Sequence, residues 1–180
     1  MSFSEMVKEE LSRQIGNARH CRIAELAAII GSCGRMGHFP QGDILKIQTE
    51  NEVVARKCFT LLQKTFNIET EISVRENSHL KRVKVYVIEI SEPKEIQVIL
   101  QALKLTTDSV DHGTLIVADM LVAQQNCCKR AFIRGAFLAS GSISDPEKGY
   151  HFEIVCPDVR RAEQLQTIIR SFSVDAKIVQ

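Results

Sequence analysis

No apolar run in this sequence approaches the roughly 18 residues that a membrane-crossing helix needs. The N-terminus, MSFSEMVKEELSRQI, carries Glu5, Glu9 and Glu10 where a secretion signal needs an unbroken apolar segment. A cytosolic protein is the expectation. A surplus of charge is lacking too: 23 Lys and Arg stand against 22 Asp and Glu, a formal net charge of +1. That total neither requires nor excludes a nucleic-acid partner, because a basic face can sit inside a neutral sum. C-x2-C pairs are absent, and the six cysteines, Cys21, Cys33, Cys58, Cys127, Cys128 and Cys156, form no regular framework. In a cytosolic chain they are expected to be reduced, buried and apolar in behaviour. A zinc site can be drawn from His20, Cys21, Cys33 and His38, but its spacing fits no common zinc motif. Cys127-Cys128 reads more simply as the start of a buried helix than as a redox switch. No metal and no cofactor are expected.

What is present is an ordinary globular composition, 44% hydrophobic and 25% charged over 180 residues, enough for a real core. Phe3, Met6, Val7, Leu11 and Ile15 share one helical face, and Ser2 with Glu5 can form a capping box. Periodicity then predicts a helix near Arg22 to Gly34, a strand from Ile44 to Thr49 and a helix near Asn51 to Phe66. Strands at Glu69 to Arg75 and Arg82 to Ile90 follow, joined by the polar ENSH turn, and Pro93 opens a helix ending near Leu105. Thr106 to Gly113 reads as a linker. Beyond it come a helical stretch near Leu115 to Gln125, a helix from Cys127 to Ser140 capped by Asn126, and a strand at Tyr150 to Cys156. A helix near Asp158 to Phe172 and a strand from Val174 complete the series.

The two parts repeat each other. Gly34 and Gly141 each end a helix of small residues, and FNIETEI (66–72) matches FSVDAKI (172–178). The division is residues 1–105, an N-terminal helix plus a first half, and residues 106–180, a linker plus a second half. The second copy is one strand short, so a longer natural chain is expected. In the small-residue helices, Ala27, Ala28, Gly31, Gly34, Gly135, Ala136, Ala139 and Gly141 are the candidates for close helix–helix packing at a pseudo-twofold axis.

LAAIIGSCG (26–34) and IRGAFLASGS (133–142) resemble the paired LAGLIDADG motifs of homing endonucleases. CCKRAFIRGAFLASGSISDPEKGYHFEI (127–154), together with SFSEMVKEEL and RIAELAAIIGSCG, resembles the WhiA family of bacterial regulators over essentially the whole chain. The resemblance implies an α+β fold, with antiparallel sheets forming a saddle and motif helices paired between two pseudo-symmetric halves. It further implies a C-terminal helix-turn-helix DNA-binding domain outside this chain. Transcription regulation in cell division, chromosome segregation and sporulation, in the cytoplasm at the nucleoid, is what it implies about role.

In the enzymes of that fold an acid before the final glycine of each motif holds divalent metal. Those positions are Cys33 and Ser140 here, and neither supplies the hard carboxylate oxygen that Mg2+ prefers. Asp43 and Asp145 lie beyond the helices, in presumed turns. No catalytic residue is expected. Strand alternation places Lys46, Gln48, Arg75, Arg82, Lys84 and Lys177 outward, with Lys81 nearby, as weak DNA contacts, and Tyr86 outward beside them. Glu69, Glu71, Glu153 and Asp175 oppose them. DNA is thus expected to be held mainly outside this chain, with protein partners open and a monomer favoured. An active metal-dependent endonuclease and a pure protein-interaction module are the competing readings.

Overall fold

The computed structural model describes residues 1–77 and 83–180. In chain order the helices and strands of the first half are α1 (Phe3–Ser12), α2 (Arg19–Cys33), β1 (Gly34–Phe39), β2 (Gly42–Thr49), α3 (Glu52–Phe66), β3 (Ile72–Asn77), β4 (Val83–Ile90) and α4 (Pro93–Ala102). A small hairpin, β5 (Leu105–Thr107) and β6 (Leu115–Val117), leads to α5 (Asn126–Ser140), β7 (Gly141–Ile143), β8 (Phe152–Ile154) and α6 (Val159–Arg170). Short 3-10 turns occupy Met120–Ala123 and Pro146–Lys148. No helix among the described residues is long and apolar enough to cross a membrane.

Local chemistry sets the helix ends. Ser2 Oγ accepts from the Glu5 amide while Glu5 accepts from the Ser2 amide, closing a capping box on α1. Asn51 caps α3 by accepting from Val53, Asp158 caps α6 by accepting from Arg161, and Pro93 opens α4 where no amide is needed. At α5, Asn126 is the first helical residue rather than the cap. Gln125 holds the cap position and makes no side-chain cap bond.

The four-stranded antiparallel sheet has the order β1-β2-β4-β3. Its register sets Leu45 opposite Ile90 and Ile47 opposite Ile88, aligning four buried side chains against α2 and α3. Ile29, Ile30, Val54, Cys58, Leu61 and Leu62 complete that core. The second half pairs β7 with β8 and packs Leu165 and Ile168 of α6 into the same core.

The repeat reaches down to backbone conformation. α2 and α5 end at Cys33 and Ser140, and Gly34 and Gly141 turn straight into strands at φ −90° and −93°. After the next helices, Asn67 and Ser173 both adopt the left-handed conformation, at φ 54° and 61°.

Several expected elements differ. β1 lies where periodicity predicts no strand; it pairs with β2 across a tight turn at Pro40-Gln41, where Gly42 takes φ 136°. The expected linker lies within the β5–β6 hairpin and docks on β1: the Met36 amide donates to Gly113 O at 2.8 Å, and Arg35 pairs with Asp111 at 2.8 Å. The expected helix at Leu115 to Gln125 is instead β6 and a 3-10 turn. Leu115, Ile116 and Val117 are all buried, so three consecutive residues meet apolar neighbours in a way a one-faced helix could not satisfy. No strand begins at Val174; Gln166 and Arg170 hold that segment by donating to Ala176 O. The ENSH turn, Lys81 and Arg82 fall wholly or partly outside the described residues.

Candidate functional site

α2 and α5 lie against each other as the central pair. A Cβ added to Gly135 would stand 2.5 Å from Glu25 O and 3.0 Å from Ala28 Cβ, so the backbones approach too closely for any larger residue. Ala27, Ala28 and Ala136 are buried in that region, while Ala139 is half-buried. Gly31 faces elsewhere: Val117 and Leu105 of the hairpin lie 3.6 and 3.8 Å from its added Cβ. Gly34 and Gly141 are exit residues rather than packing residues, since an added Cβ would strike Ile30 O at 2.5 Å and the Phe137 ring at 2.2 Å respectively.

A buried ion cluster, unannounced by the sequence pattern, joins the four helices around this seam. Glu25 of α2 is 1% exposed and takes Lys57 of α3 at 2.6 Å and Arg134 of α5 at 3.0 Å. The Lys57 ammonium also donates to Leu11 O and Gln14 O, at and just beyond the end of α1. Burial lowers the Lys57 pKa, and the Glu25 carboxylate opposes that shift. Apart from the spacing of Glu25 within an apolar run, nothing in the sequence marks it.

The ends of the motif helices open onto a groove of about 1160 Å³, lined by Cys33, Ala139, Lys46, Gln48, Lys8 and Arg161 among others. Neither motif position offers a carboxylate, and Ser140 is hydrogen-bonded elsewhere. Burial pushes the Cys33 thiol up to about 11, against the opposing field of the Lys8 ammonium. Ser140 Oγ donates to Val155 O at 2.7 Å. Cations stand close by: Lys8 lies over the Phe137 ring, and Arg161 donates to Gly31 O at 2.6 Å, near the carbonyl end of α2, where the helix dipole favours it. Glu5, Glu9, Glu50 and Glu52 also line the groove, all from the first half, while the second half supplies no carboxylate there. Asp43 is hydrogen-bonded to His38 at 2.9 Å, and Asp145 caps the short turn at Glu147. This donor set does not fit a divalent ion held between paired acids.

On the sheet, Lys46 and Gln48 lie on the face away from the helices, and Arg75 shares that face, bonded to Glu89 at 2.9 Å. By register, Lys84 and Tyr86, expected outward, take the helix side with Ile88 and Ile90, although Lys84 stays exposed at the strand's start, and Val83, Val85 and the buried Val87 take the other side. Tyr86 lines an apolar gap with Ile29, Ile47 and Cys58. Lys177 is exposed on the irregular C-terminal segment rather than on a strand. His151 and Glu153 are exposed and pair with each other at 3.3 Å. The zinc grouping drawn from the sequence is not assembled: Cys33 ends α2 while His20 begins it, and His38 bonds Asp43.

Comparison with known proteins gives the geometry its relatives. The family model for the WhiA N-terminal LAGLIDADG-like domain matches residues 19–106, and that for the WhiA LAGLIDADG-like domain matches residues 129–180. A probable cell division protein WhiA from Lachnoclostridium phytofermentans is 53% identical over 99% of the chain, and one from Lachnospira eligens is 41% identical over 99%. The chain spans 58% and 56% of the lengths of these two relatives. The crystal structure of full-length DUF199/WhiA from Thermatoga maritima superposes with a TM-score of 0.70 at 20% identity, covering 100% of this chain and 54% of that one. The I-DmoI structure in complex with DNA and Mn superposes with a TM-score of 0.57 at 15% identity, over 91% and 83% of the two chains. The fold is that of the LAGLIDADG homing endonucleases, and with both halves matched by its family models, the chain belongs to the WhiA family.

Proposed function

We propose that this chain is the non-catalytic LAGLIDADG-like part of a DNA-binding transcriptional regulator acting in bacterial cell division, with roles in chromosome segregation and sporulation. The observation that carries the loss of catalysis is the state of the two motif positions. Cys33 and Ser140 offer no carboxylate, and Lys8 and Arg161 bring positive charge to the same region. A divalent ion at the motif positions would meet cations and a bonded hydroxyl, and the carboxylates of the groove, Glu5, Glu9, Glu50 and Glu52, all stand on the first half with none opposite them.

The DNA role rests on the fold and on what the outer sheet face retains. Arg35, Lys46 and Arg75 lie on one side of β1, β2 and β3, but Arg35 is paired with Asp111 and Arg75 with Glu89. Strong binders at cellular salt use roughly six to ten phosphate contacts. A face so nearly neutralised assists binding, and a helix-turn-helix domain elsewhere in the protein supplies most recognition. The names of the relatives support the cell-division role.

Fluorescence anisotropy on labelled duplex DNA, titrated with salt, tests this division of labour. The intact protein binds with a steep salt dependence, while the 180-residue chain binds weakly and with a shallow slope. Equal affinity and slope for both would place recognition on this sheet face and overturn the reading. Absence of DNA binding by both would favour a protein-interaction module instead.

A further inference from the structure

The N-terminal ends of α2 and α5 bring together four side chains that play no part in the groove. His20 and Cys21 belong to the first turn of α2, and Cys127 and Cys128 to the first turn of α5. One ligand atom from each lies within 4.8 Å of all the others. We propose that His20, Cys21, Cys127 and Cys128 form a structural zinc site that pins the starts of the two motif helices together.

The distances fit a single tetrahedral ion. Zn–S bonds of about 2.3 Å and Zn–N bonds of about 2.0–2.1 Å place the ligand atoms of such a site roughly 3.5–3.8 Å apart. His20 Nδ1 lies 3.1 Å from Cys128 Sγ, 3.5 Å from Cys21 Sγ and 3.9 Å from Cys127 Sγ. Three sulfurs and one imidazole nitrogen make a soft donor set that suits zinc and disfavours magnesium or calcium. With all four positions filled by protein, no site is left for water, which is the signature of a structural rather than a catalytic ion.

The surroundings suit thiolates. α2 and α5 both begin without a side-chain cap: Ala18 and Gln125 hold the cap positions and neither makes a cap hydrogen bond. α1, α3, α4 and α6 are all capped by side chains. Amides at a helix start attract negative charge, and a thiolate cluster takes up that role. Hydrogen bonding from Cys21 lowers the Cys127 pKa, and the amides of Cys128 and Cys127 add to it. Burial pushes Cys128 up to about 12 and raises Cys21, so these two thiols keep their protons at neutral pH. Zinc binding to three thiolates displaces those protons into solvent. The residual negative charge of the loaded site is offset by both helix starts and by Arg134, whose field already acts on Cys21.

The site would tie residues 20–21 to residues 127–128, at the end of the helix pair opposite the groove. Its occupancy fixes how α2 and α5 meet, and so the relative setting of the sheets that follow them. The sequence hides it because each half contributes two adjacent ligands, and neither pair has the spacing of a zinc motif.

The test uses the intact protein that carries this chain, purified under reducing conditions without chelator. Zinc is measured by mass spectrometry and the site is probed by cobalt substitution. The expected result is one zinc per chain at this site and a thiolate-to-cobalt charge-transfer absorption with tetrahedral d–d bands. Cys21→Ser/Cys127→Ser loses that equivalent and that absorption, while Cys156→Ser, outside the cluster, keeps both. Should the double variant fail to fold, Cys127→Ser at the half-exposed rim alone shifts the cobalt bands and weakens cobalt binding. Metal content and cobalt spectrum unchanged in the variants would overturn the proposal. So would an intact protein without the thiolate–cobalt absorption, including one in which Cys21 is disulfide-bonded to Cys127 or Cys128.

Discussion

At Ser140 the hydroxyl donates to Val155 O at 2.7 Å, tying the end of α5 to the segment after β8. An aspartate there would turn a carboxylate oxygen toward that carbonyl. Ser140→Ala is expected to cost about 1 kcal/mol in urea unfolding, the worth of one intramolecular hydrogen bond, and Ser140→Asp to cost more. Glu25 is a graver position, because its removal leaves the fully buried Lys57 ammonium without its carboxylate. Glu25→Ala is expected to destabilise the fold by about 3–5 kcal/mol, read from the same unfolding curves. Two exposed groups, Asp111 of the hairpin and His38 of β1, set a pH window. Asp111 is held down to about 2 from 3.8 by its hydrogen bond with Arg35 and then by Thr114 and Gly113. Its contribution is present above 3.8 and is lost as pH falls toward 2. Asp43 and then the His112 carbonyl raise His38 above 6.5, so that contribution is complete below 6.5 and is lost as pH rises through the raised value. Docking of the hairpin on β1 through Asp111 and Arg35 is therefore complete above pH 3.8, while the His38 contribution, chiefly its bond to Asp43 of β2 and only secondly to the His112 carbonyl of the hairpin, fades as pH rises through the raised value. The hydrogen-exchange protection factor of the Met36 amide, which donates to Gly113 O, reads this directly.

Among the elements, the paired helices show what composition alone leaves open. Gly31 and Gly135 look alike in sequence, yet Gly135 lies against the Glu25 backbone and Gly31 has ordinary van der Waals space. Gly135→Ala is expected to cost about 1–3 kcal/mol through overpacking. Gly31→Ala is expected to be neutral or to stabilise by up to about 1 kcal/mol, as alanine replaces glycine inside a helix. Paired thermal melts of the two variants separate the outcomes. The presence of these helices, and their exits at Gly34 and Gly141, was legible from the repeat; which glycine touches which backbone was not, because that depends on the crossing of two distant segments. β4 shows the same limit for strands. VKVYVIEI has β-branched residues at both parities, so alternation cannot choose a face. The choice comes from pairing with Leu45 and Ile47, which sends Tyr86, Ile88 and Ile90 inward. RMGHF has no apolar alternation to mark β1 as a strand; its pairing is fixed by the turn and by the hairpin docked on it.

Across the whole molecule, a twofold repeat keeps its paired helices while neither motif position, Cys33 or Ser140, carries a carboxylate. The helix order and the glycine exits at Gly34 and Gly141 recur in both halves, and Asn67 and Ser173 share a positive φ, but the second half has only the short β7–β8 pair and no strand after α6. The charges do not recur: the groove takes all four of its lining carboxylates from the first half and Arg161 from the second. The vacant acid positions were legible from two letters of sequence, Cys33 and Ser140. The cations beside them were not, since Lys8 and Arg161 come from helices far away in the chain. The measurement that bears most directly on this account is a nicking assay on supercoiled plasmid with the intact protein in Mg2+ or Mn2+. The account predicts that the plasmid stays supercoiled under conditions where anisotropy shows DNA bound. Metal-dependent nicking that vanishes on Glu52→Gln or Glu50→Gln would contradict it, because a groove carboxylate would then be holding the ion that the motif positions cannot.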